Sequence, residues 1–280
     1  MELTSSNLIT ALILTKNEEP NLRRVLDRLT WLQRVVILDS FSTDTTLDIA
    51  NSYPNVEVFQ RKFDTHGNQW NYGLSLLKSK WALTLDADYV LTSEFIQETK
   101  NIIATPQNEA YETTFSFLVF GKKLSGDNTT PRPVLFDIDK CIYFDDGHTQ
   151  RLKVNGTTGR YKSYILHDDR KSLSRWLSNQ DGYAIKESKK LVSEPASGMP
   201  LSGKIRKTKV LAPFLVFFHC LFVKGLIFNG WAGWHYTLQR TMVEILLALR
   251  LIEDEKLAEK AEPGSTLTMV HDDLKSNLVK

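Results

Sequence analysis

Short apolar runs alternate with amphipathic segments through the first hundred residues, and this rhythm constrains the fold more than any other feature. Leu8 to Leu14 suits a central parallel strand, and Asn17 to Leu29 follows as a helix with Leu22, Val25, Leu26 and Leu29 on one face. Arg34 to Leu38 reads as a second strand, and Ser42 or Thr43 should cap a helix that runs to Ala50. Val56 to Phe59 is an edge-like third strand. A helix from about His66 to Lys78 then leads into Trp81 to Leu85, a fourth and buried strand. Strands alternating with helices predict an α/β fold, a mostly parallel sheet with helices on both faces.

Polar residues follow three of these strands: Thr15 to Glu18, then Asp39 and Ser40, then Asp86-Ala87-Asp88. Strand ends that share one rim of a parallel sheet mark a ligand cleft. Two carboxylates one residue apart repel by about 3 kcal/mol at ~5 Å and an effective dielectric of ~20. A hard divalent cation bridging to phosphate oxygens is the natural counter-charge. No Gly-x-Gly-x-x-Gly follows the first strand and the chain has no Walker Gly-Lys-Ser, which argues against dinucleotide and P-loop chemistry. Metal and side chains must therefore hold the phosphates of a nucleotide.

A formal net charge of +2 over 280 residues, with no long basic run, gives no support to nucleic acid as a partner, and none is expected. The two cysteines, Cys141 and Cys220, have no metal-ligand spacing and fit a reducing compartment as inert thiols. The apolar stretch at Leu8 lacks a basic leader and runs into Lys16-Asn17-Glu18-Glu19, so it reads as a strand rather than a signal peptide, and a cytoplasmic location is expected.

Three ordered segments carry a resemblance. Ala11 to Glu19, Val36 to Thr46 and Leu83 to Asp88 together resemble family 2 glycosyltransferases of the GT-A fold. Within that family the chain is most similar to bacterial lipopolysaccharide-core β-1,4-glucosyltransferase-like enzymes, through His167-Asp168-Asp169-Arg170-Lys171-Ser172-Leu173-Ser174-Arg175-Trp176. The resemblance spans roughly residues 8 to 255. It implies that Thr15, Asn17 and Glu18 line a nucleoside pocket and that Asp39 hydrogen-bonds the base. Asp86 would face the ribose or the metal, and Asp88 would bind Mg²⁺ or Mn²⁺ at the diphosphate. The donor would be a nucleotide diphosphate sugar, UDP-glucose by resemblance. The chemistry agrees, because a departing nucleoside diphosphate gathers negative charge that a divalent ion stabilises as a Lewis acid.

Beyond Asp88, Thr92 to Ala104 reads as a helix, Tyr111 to Phe120 as a strand, Gly121 to Asn128 as its turn, and Pro131 to Phe136 as a strand pairing back. An inverting transferase needs a base for the acceptor hydroxyl. Asp146, in Asp145-Asp146-Gly147-His148, and Asp168 are the two candidates. Related family members often carry Glu where Gln150 falls here, and Gln cannot take a proton. His148 could orient the acceptor, and His167 is a candidate metal or diphosphate contact. Arg170 and Lys171 are placed to meet diphosphate charge. Ser172 through Lys190 reads as an amphipathic helix.

Lys204, Arg206, Lys207 and Lys209 precede an apolar run from Val210 to Val223, which as a helix is ~21 Å long, against a hydrocarbon core of ~30 Å. An interfacial or re-entrant element is the expectation, with a true span extended to Trp234 and a buried soluble helix as alternatives. Trp231, Trp234 and Tyr236 suit headgroup level, and each cation adds about 1 kcal/mol on an anionic leaflet. Thr237 to Glu253 is a further helix. The expected organisation is a nucleotide-sugar half over 1–105, an acceptor half over 106–192, a membrane-associating helical segment over 193–260, and a frayed tail over 261–280. The function these readings predict is inverting, metal-dependent transfer of a hexose to a glycolipid such as lipopolysaccharide core, on the inner leaflet. Transfer to polyprenyl phosphate and a non-catalytic nucleotide-sugar-binding membrane scaffold are the alternatives.

Overall fold

The computed structural model of the chain describes residues 8–128, 130–146 and 149–261. His148 and residues 262–280 of the tail expected over 261–280 lie outside the described residues, as does the side chain of Asp146. The chain forms two compact units, one of residues 8–172 with 224–235 and the other of 173–223 with 236–261.

In the first unit, β1 (Ile9–Thr15), β2 (Val35–Asp39), β3 (Val56–Gln60) and β4 (Trp81–Asp86) lie in the order β3-β2-β1-β4, all parallel. Between them run α1 (Leu22–Leu26), α2 (Thr46–Asn51) and α3 (His66–Ser75). Alternate residues of β1 enter two separate cores. Ile9, Ala11 and Ile13 pack with Leu22, Val25 and Leu26 of α1, while Leu12 packs with Trp70 and Leu74 of α3. Gly73 lets α3 approach the sheet closely, since a Cβ there would lie 2.7 Å from the Leu12 side chain.

After β4 the sheet changes character. β5 (Tyr89–Leu91) and α4 (Ser93–Ala104) lead to β6 (Ala110–Val119), β7 (Lys122–Asn128) and β8 (Arg132–Asp137). Then come β9 (Cys141–Asp146), β10 (Thr149–Val154) and β11 (Thr158–His167). The order continues β4-β8-β6-β11-β5, with β8 antiparallel to both β4 and β6, β11 parallel to β6, and β5 antiparallel to β11. The result is a nine-stranded mixed sheet with helices on both faces, GT-A-like as the resemblance implies, parallel in its first half and mixed in its second. Residues 122–128, expected as a turn, form β7 against β6, and β9 and β10 make a separate hairpin.

Two helices of the first half begin later than their sequence suggests, for one reason. Backbone N–H groups of the loop after β1 donate to side chains of the loop after β2: Asn17 to Ser42 Oγ (2.7 Å), Glu18 to Thr46 Oγ1 (2.7 Å) and Glu19 to Asp44 Oδ2 (3.3 Å). Thr43 N donates in return to Asn17 Oδ1 at 2.6 Å. Ser42 and Thr43, expected as helix caps, are spent joining the two loops, so α2 starts at Thr46 and α1 only at Leu22.

The second unit contains α5 (Leu173–Ser193), α6 (Leu201–Lys207), α7 (Leu211–Phe218) and most of α8 (Trp231–Ala261). α5 lies in this unit. Leu191 packs with Met199, Leu247 and Leu251, Ser188 donates to Asp254 (2.5 Å), and Arg250 bonds Asp181 (2.7 Å). No helix among the described residues is long and apolar enough to cross a membrane. The apolar run is broken beyond α7, where Gly225 and Gly230 adopt φ of +66° and +59°, backbone that glycine reaches without strain.

Candidate functional site

The C-terminal ends of β1, β2, β4 and β11 carry most of the residues that the sequence singles out, and all of these lie in the first unit. They form two clusters. In the first, Asp39 ends β2 fully buried, and its carboxylate accepts from Thr15 Oγ1 (2.8 Å), Ser42 N (2.8 Å), Ser42 Oγ (2.5 Å) and Gln60 Nε2 (3.2 Å). A carboxylate offers about four acceptor sites, so those of Asp39 are filled. Its expected role as a partner of the base would require one of these donors to give way. Asn17 and Phe41 sit beside it in the left-handed region, at φ of 56° and 60°, a conformation that costs a non-glycine residue about 1 kcal/mol or more. Lys16 Nζ holds the turn by donating to the carbonyls of Ser40 (2.9 Å) and Phe41.

The second cluster forms where β5 pairs with β11. His167 is opposite Tyr89 in that register, and Asp168 N donates to the Asp88 carbonyl at 3.1 Å. His167 Nε2 then lies 3.3 Å from Asp88 Oδ2, with the imidazole packed against Phe117 and Tyr89. Burial lowers the affinity of His167 for its proton, but the Asp88 charge and hydrogen bond outweigh it and raise its pKa. Burial likewise pushes the Asp88 carboxyl up, and the His167 charge and hydrogen bond, with Lys171 behind them, bring it below the usual carboxylate range. Asp86 moves the other way, raised by burial and then by the Asp88 charge. Asp88 Oδ1 is buried and unbonded.

Residues 168–171 close the cluster. Asp168 accepts from Arg24 Nη1 (2.5 Å) and from Arg170 Nη2 (2.8 Å) and Nε (3.1 Å). Two guanidinium groups therefore occupy Oδ2 of this candidate base. Asn21, completely buried, ties the segment to α1, with Oδ1 accepting from Arg170 N (2.9 Å) and Nδ2 donating to Asp169 (2.9 Å) and Glu18 (3.1 Å). Lys171 Nζ enters the acids themselves, 3.0 Å from Glu18, 3.2 Å from Asp169 and 3.9 Å from Asp88. Burial raises the Glu18 carboxyl, and the Asp88 charge adds to the effect against Lys171, so that it reaches about 7.

Asp88 and His167 are thus brought together. Thr15, Asn17 and Asp39 meet at the neighbouring strand ends, and Glu18 turns toward Lys171. Asp145 accepts from Gly67 N at 2.8 Å, which fixes the end of β9 against the start of α3. Sequence reasoning missed Asn21, Arg24 and Asp169, whose only signal is that polar side chains interrupt the α1 stripe and the Asp-Asp-Arg-Lys run. Burial pushes the Cys141 thiol up to about 12, which disfavours its thiolate. Among the described residues no three His, Cys, Asp or Glu side chains converge tightly enough to form a ready metal cage. The donor set still suits a divalent ion, because a buried carboxylate oxygen without a partner and an adjacent imidazole are hard and borderline ligands respectively.

Residues 10–111 match the sequence model of Glycosyl transferase family 2. An uncharacterized glycosyltransferase of Rickettsia bellii (strain RML369-C) is 31% identical over 164 residues, 58% of this chain. The chain spans about half the length of that curated relative, 53%. Among solved structures, S. aureus TarS 1-349 in complex with UDP-GlcNAc overlaps with a TM-score of 0.45 and 13% identity, over 89% of this chain and 91% of that one. Glucosyl-3-phosphoglycerate synthase from Mycobacterium tuberculosis, in complex with Mn²⁺, UDP-Glc and phosphoglyceric acid, overlaps with a TM-score of 0.36 and 17% identity, over 41% and 47% of the two chains.

Proposed function

We propose that the chain transfers a hexose from a nucleotide diphosphate sugar to a membrane-associated glycolipid acceptor, with inversion and with a divalent ion. The observation that carries this reading is the second cluster: a buried carboxylate oxygen of Asp88 without a partner, at the strand-end rim of the segment that matches Glycosyl transferase family 2, beside His167. Asp88 and His167 would hold Mg²⁺ or Mn²⁺, which when bound supplies Lewis-acid stabilisation of the departing diphosphate. Arg170, whose side chain is 42% exposed beside Asp168, would meet the remaining phosphate charge. Asp86, half-buried and raised in pKa, would accept from the ribose. Thr15, Asn17, Glu18 and Asp39 would shape the nucleoside side.

The acceptor oxygen would bond the anomeric carbon as the bond to the diphosphate oxygen breaks on the opposite face. The hydroxyl proton would pass to Asp146, because Asp168 is held by its two arginines. The same arginine pairing favours a second reading, transfer to polyprenyl phosphate, whose oxygen is already ionised and needs no base.

Membrane attachment is part of the proposal. α7 and the turn after it expose Leu211, Phe214, Leu215, Phe218, Phe222 and Val223, each between 44% and 75% accessible. Contiguous apolar exposure of this kind marks an interaction surface. The neighbouring cations serve it less than the sequence suggests. Arg206 pairs with the buried Glu244 (2.7 Å), Lys209 pairs with Glu255, and Lys207 donates to the Glu194 carbonyl (2.7 Å). Attachment is therefore expected to depend on apolar burial: vesicle flotation should persist at high salt and be lost in Phe214→Asp/Phe218→Asp. Loss by salt in the unaltered protein would return the role to the cations.

The activity is tested by incubating UDP-, GDP- and CDP-sugars with Mn²⁺ and glycolipid-bearing vesicles, with Asp88→Ala alongside. Sugar incorporation that needs Asp88 supports the proposal, and a product labile to mild acid would shift it to polyprenyl phosphate. No incorporation from any donor, with nucleotide still bound, would favour the scaffold.

A further inference from the structure

Lys171 has a place in the second cluster that the proposed reaction does not explain. Its side chain is only 10% exposed, and its ammonium has no solvent-facing role, since it stands among Glu18, Asp169 and Asp88. The backbone around it is fixed from three directions. Lys171 N donates to Asp169 Oδ1 (3.1 Å), Arg170 N to Asn21 Oδ1 (2.9 Å), and Asp168 N to the Asp88 carbonyl (3.1 Å). Asn21 in turn bonds both Glu18 and Asp169, the two acids closest to the ammonium. A buried carboxylate group of this density needs a positive charge among its members. Lys171 supplies that charge from within the chain.

We infer that Lys171 is a resident cation that competes with a divalent ion for Asp88, so that the ion binds well only when the lysine is drawn away from Asp88. The inference rests on the proposed ion site. The argument is electrostatic. An ion at the Asp88 carboxylate would face an ammonium 3.9 Å from Oδ2, and like charges at such range disfavour one another strongly where water is scarce. Glu18 and Asp169 lie nearer to Nζ than Asp88 does, at 3.0 and 3.2 Å, so the lysine keeps partners when Asp88 is taken from it. The anionic diphosphate of a donor offers it a further one. Ion and nucleotide should then bind cooperatively, each reducing the competition that the other meets.

The test is Mn²⁺ titration followed by electron paramagnetic resonance of the free ion, without nucleotide, on the unaltered chain, Lys171→Met and Lys171→Arg. Lys171→Met should bind Mn²⁺ at least tenfold more tightly than the unaltered chain, and Lys171→Arg should not. In thermal melts, Lys171→Met should start lower and gain more from Mn²⁺ than the unaltered chain does. Should Lys171→Met fail to fold, amine labelling of the unaltered chain read by mass spectrometry serves instead, and Lys171 should become more reactive as Mn²⁺ saturates. Equal Mn²⁺ affinity in Lys171→Met and the unaltered chain, or unchanged labelling at saturation, overturns the inference. If the unaltered chain still binds Mn²⁺ together with UDP, the ion site itself survives that result. Absence of Mn²⁺ binding with UDP present, in every form, overturns both.

Discussion

The loops after β1 and β2 and the segment joining β4 to the end of β11 are equally rich in polar side chains, yet they settle them differently. Around Asp39 the acceptors and donors match: four donors reach one carboxylate, and the hydroxyls of Ser42 and Thr46 take up the amides of Asn17 and Glu18. Around Asp88 they do not. Asp88 Oδ1 and Asp168 Oδ1 are both buried without partners, while cations from α1 and from residues 167–171 crowd the same acids. A closed network of neutral donors holds a loop in shape and asks for nothing more. A charged cluster with unfilled acceptors stores an affinity, and that is where a ligand with its own charge has something to gain.

Breaking the charged cluster should cost more than breaking the closed network. Asp168→Ala leaves Arg24 and Arg170 facing each other without their carboxylate. A loss of about 3 kcal/mol in denaturant unfolding is expected, at the low end for a broken buried pair because the arginine side chains remain 25% and 42% exposed. A loss under about 1 kcal/mol would show the pairs to be as weak as surface ones.

Glu18→Gln sharpens the contrast through pH. The Glu18 carboxyl is raised from 4.5 to about 7, so its neutral form is the one the fold favours. The stability it contributes is complete below pH 4.5 and lost as pH rises through 7. Since Gln does not ionise, the stability of Glu18→Gln relative to the unaltered chain should improve between those pH values, by at most about 3 kcal/mol. A flat difference across pH 4–8 would contradict the assigned environment.

Asp39→Asn replaces an acceptor of four bonds by a group that must turn an NH₂ toward donors. About 2 kcal/mol of stability should be lost, read by thermal unfolding. The smallest effect belongs away from both clusters. Tyr143→Phe removes only the bond to Thr84 Oγ1 (2.9 Å), expected to cost about 1 kcal/mol.

The parallel half of the sheet was legible in the sequence because its information is local. Each strand of β1 to β4 is an apolar run next to the helix that covers it, and predicted and observed bounds differ by a residue or so at Leu8–Leu14 against Ile9–Thr15. The second half depends on distant pairing. β8 inserts between β4 and β6, and the three-residue β5 finds β11 more than seventy residues on, through Ile165 opposite Leu91. No local pattern in Tyr89-Val90-Leu91 announces that partner, yet this pairing sets His167 beside Asp88. Asp88 and Asp39 stood out in sequence because carboxylates at strand ends are informative. Asn21 and Arg24 did not, because polar residues on a helix ordinarily face water, and only the approach of residues 168–171 gives these two their role.

The most direct measurement is calorimetry of UDP, GDP, CDP and ADP against the unaltered chain and Asp88→Ala, each with and without Mn²⁺. The account predicts that one diphosphate binds the unaltered chain only when Mn²⁺ is present, and that Asp88→Ala abolishes this binding. Binding that Asp88→Ala leaves intact, or no binding of any diphosphate, would contradict the assignment of the charged cluster as the donor site.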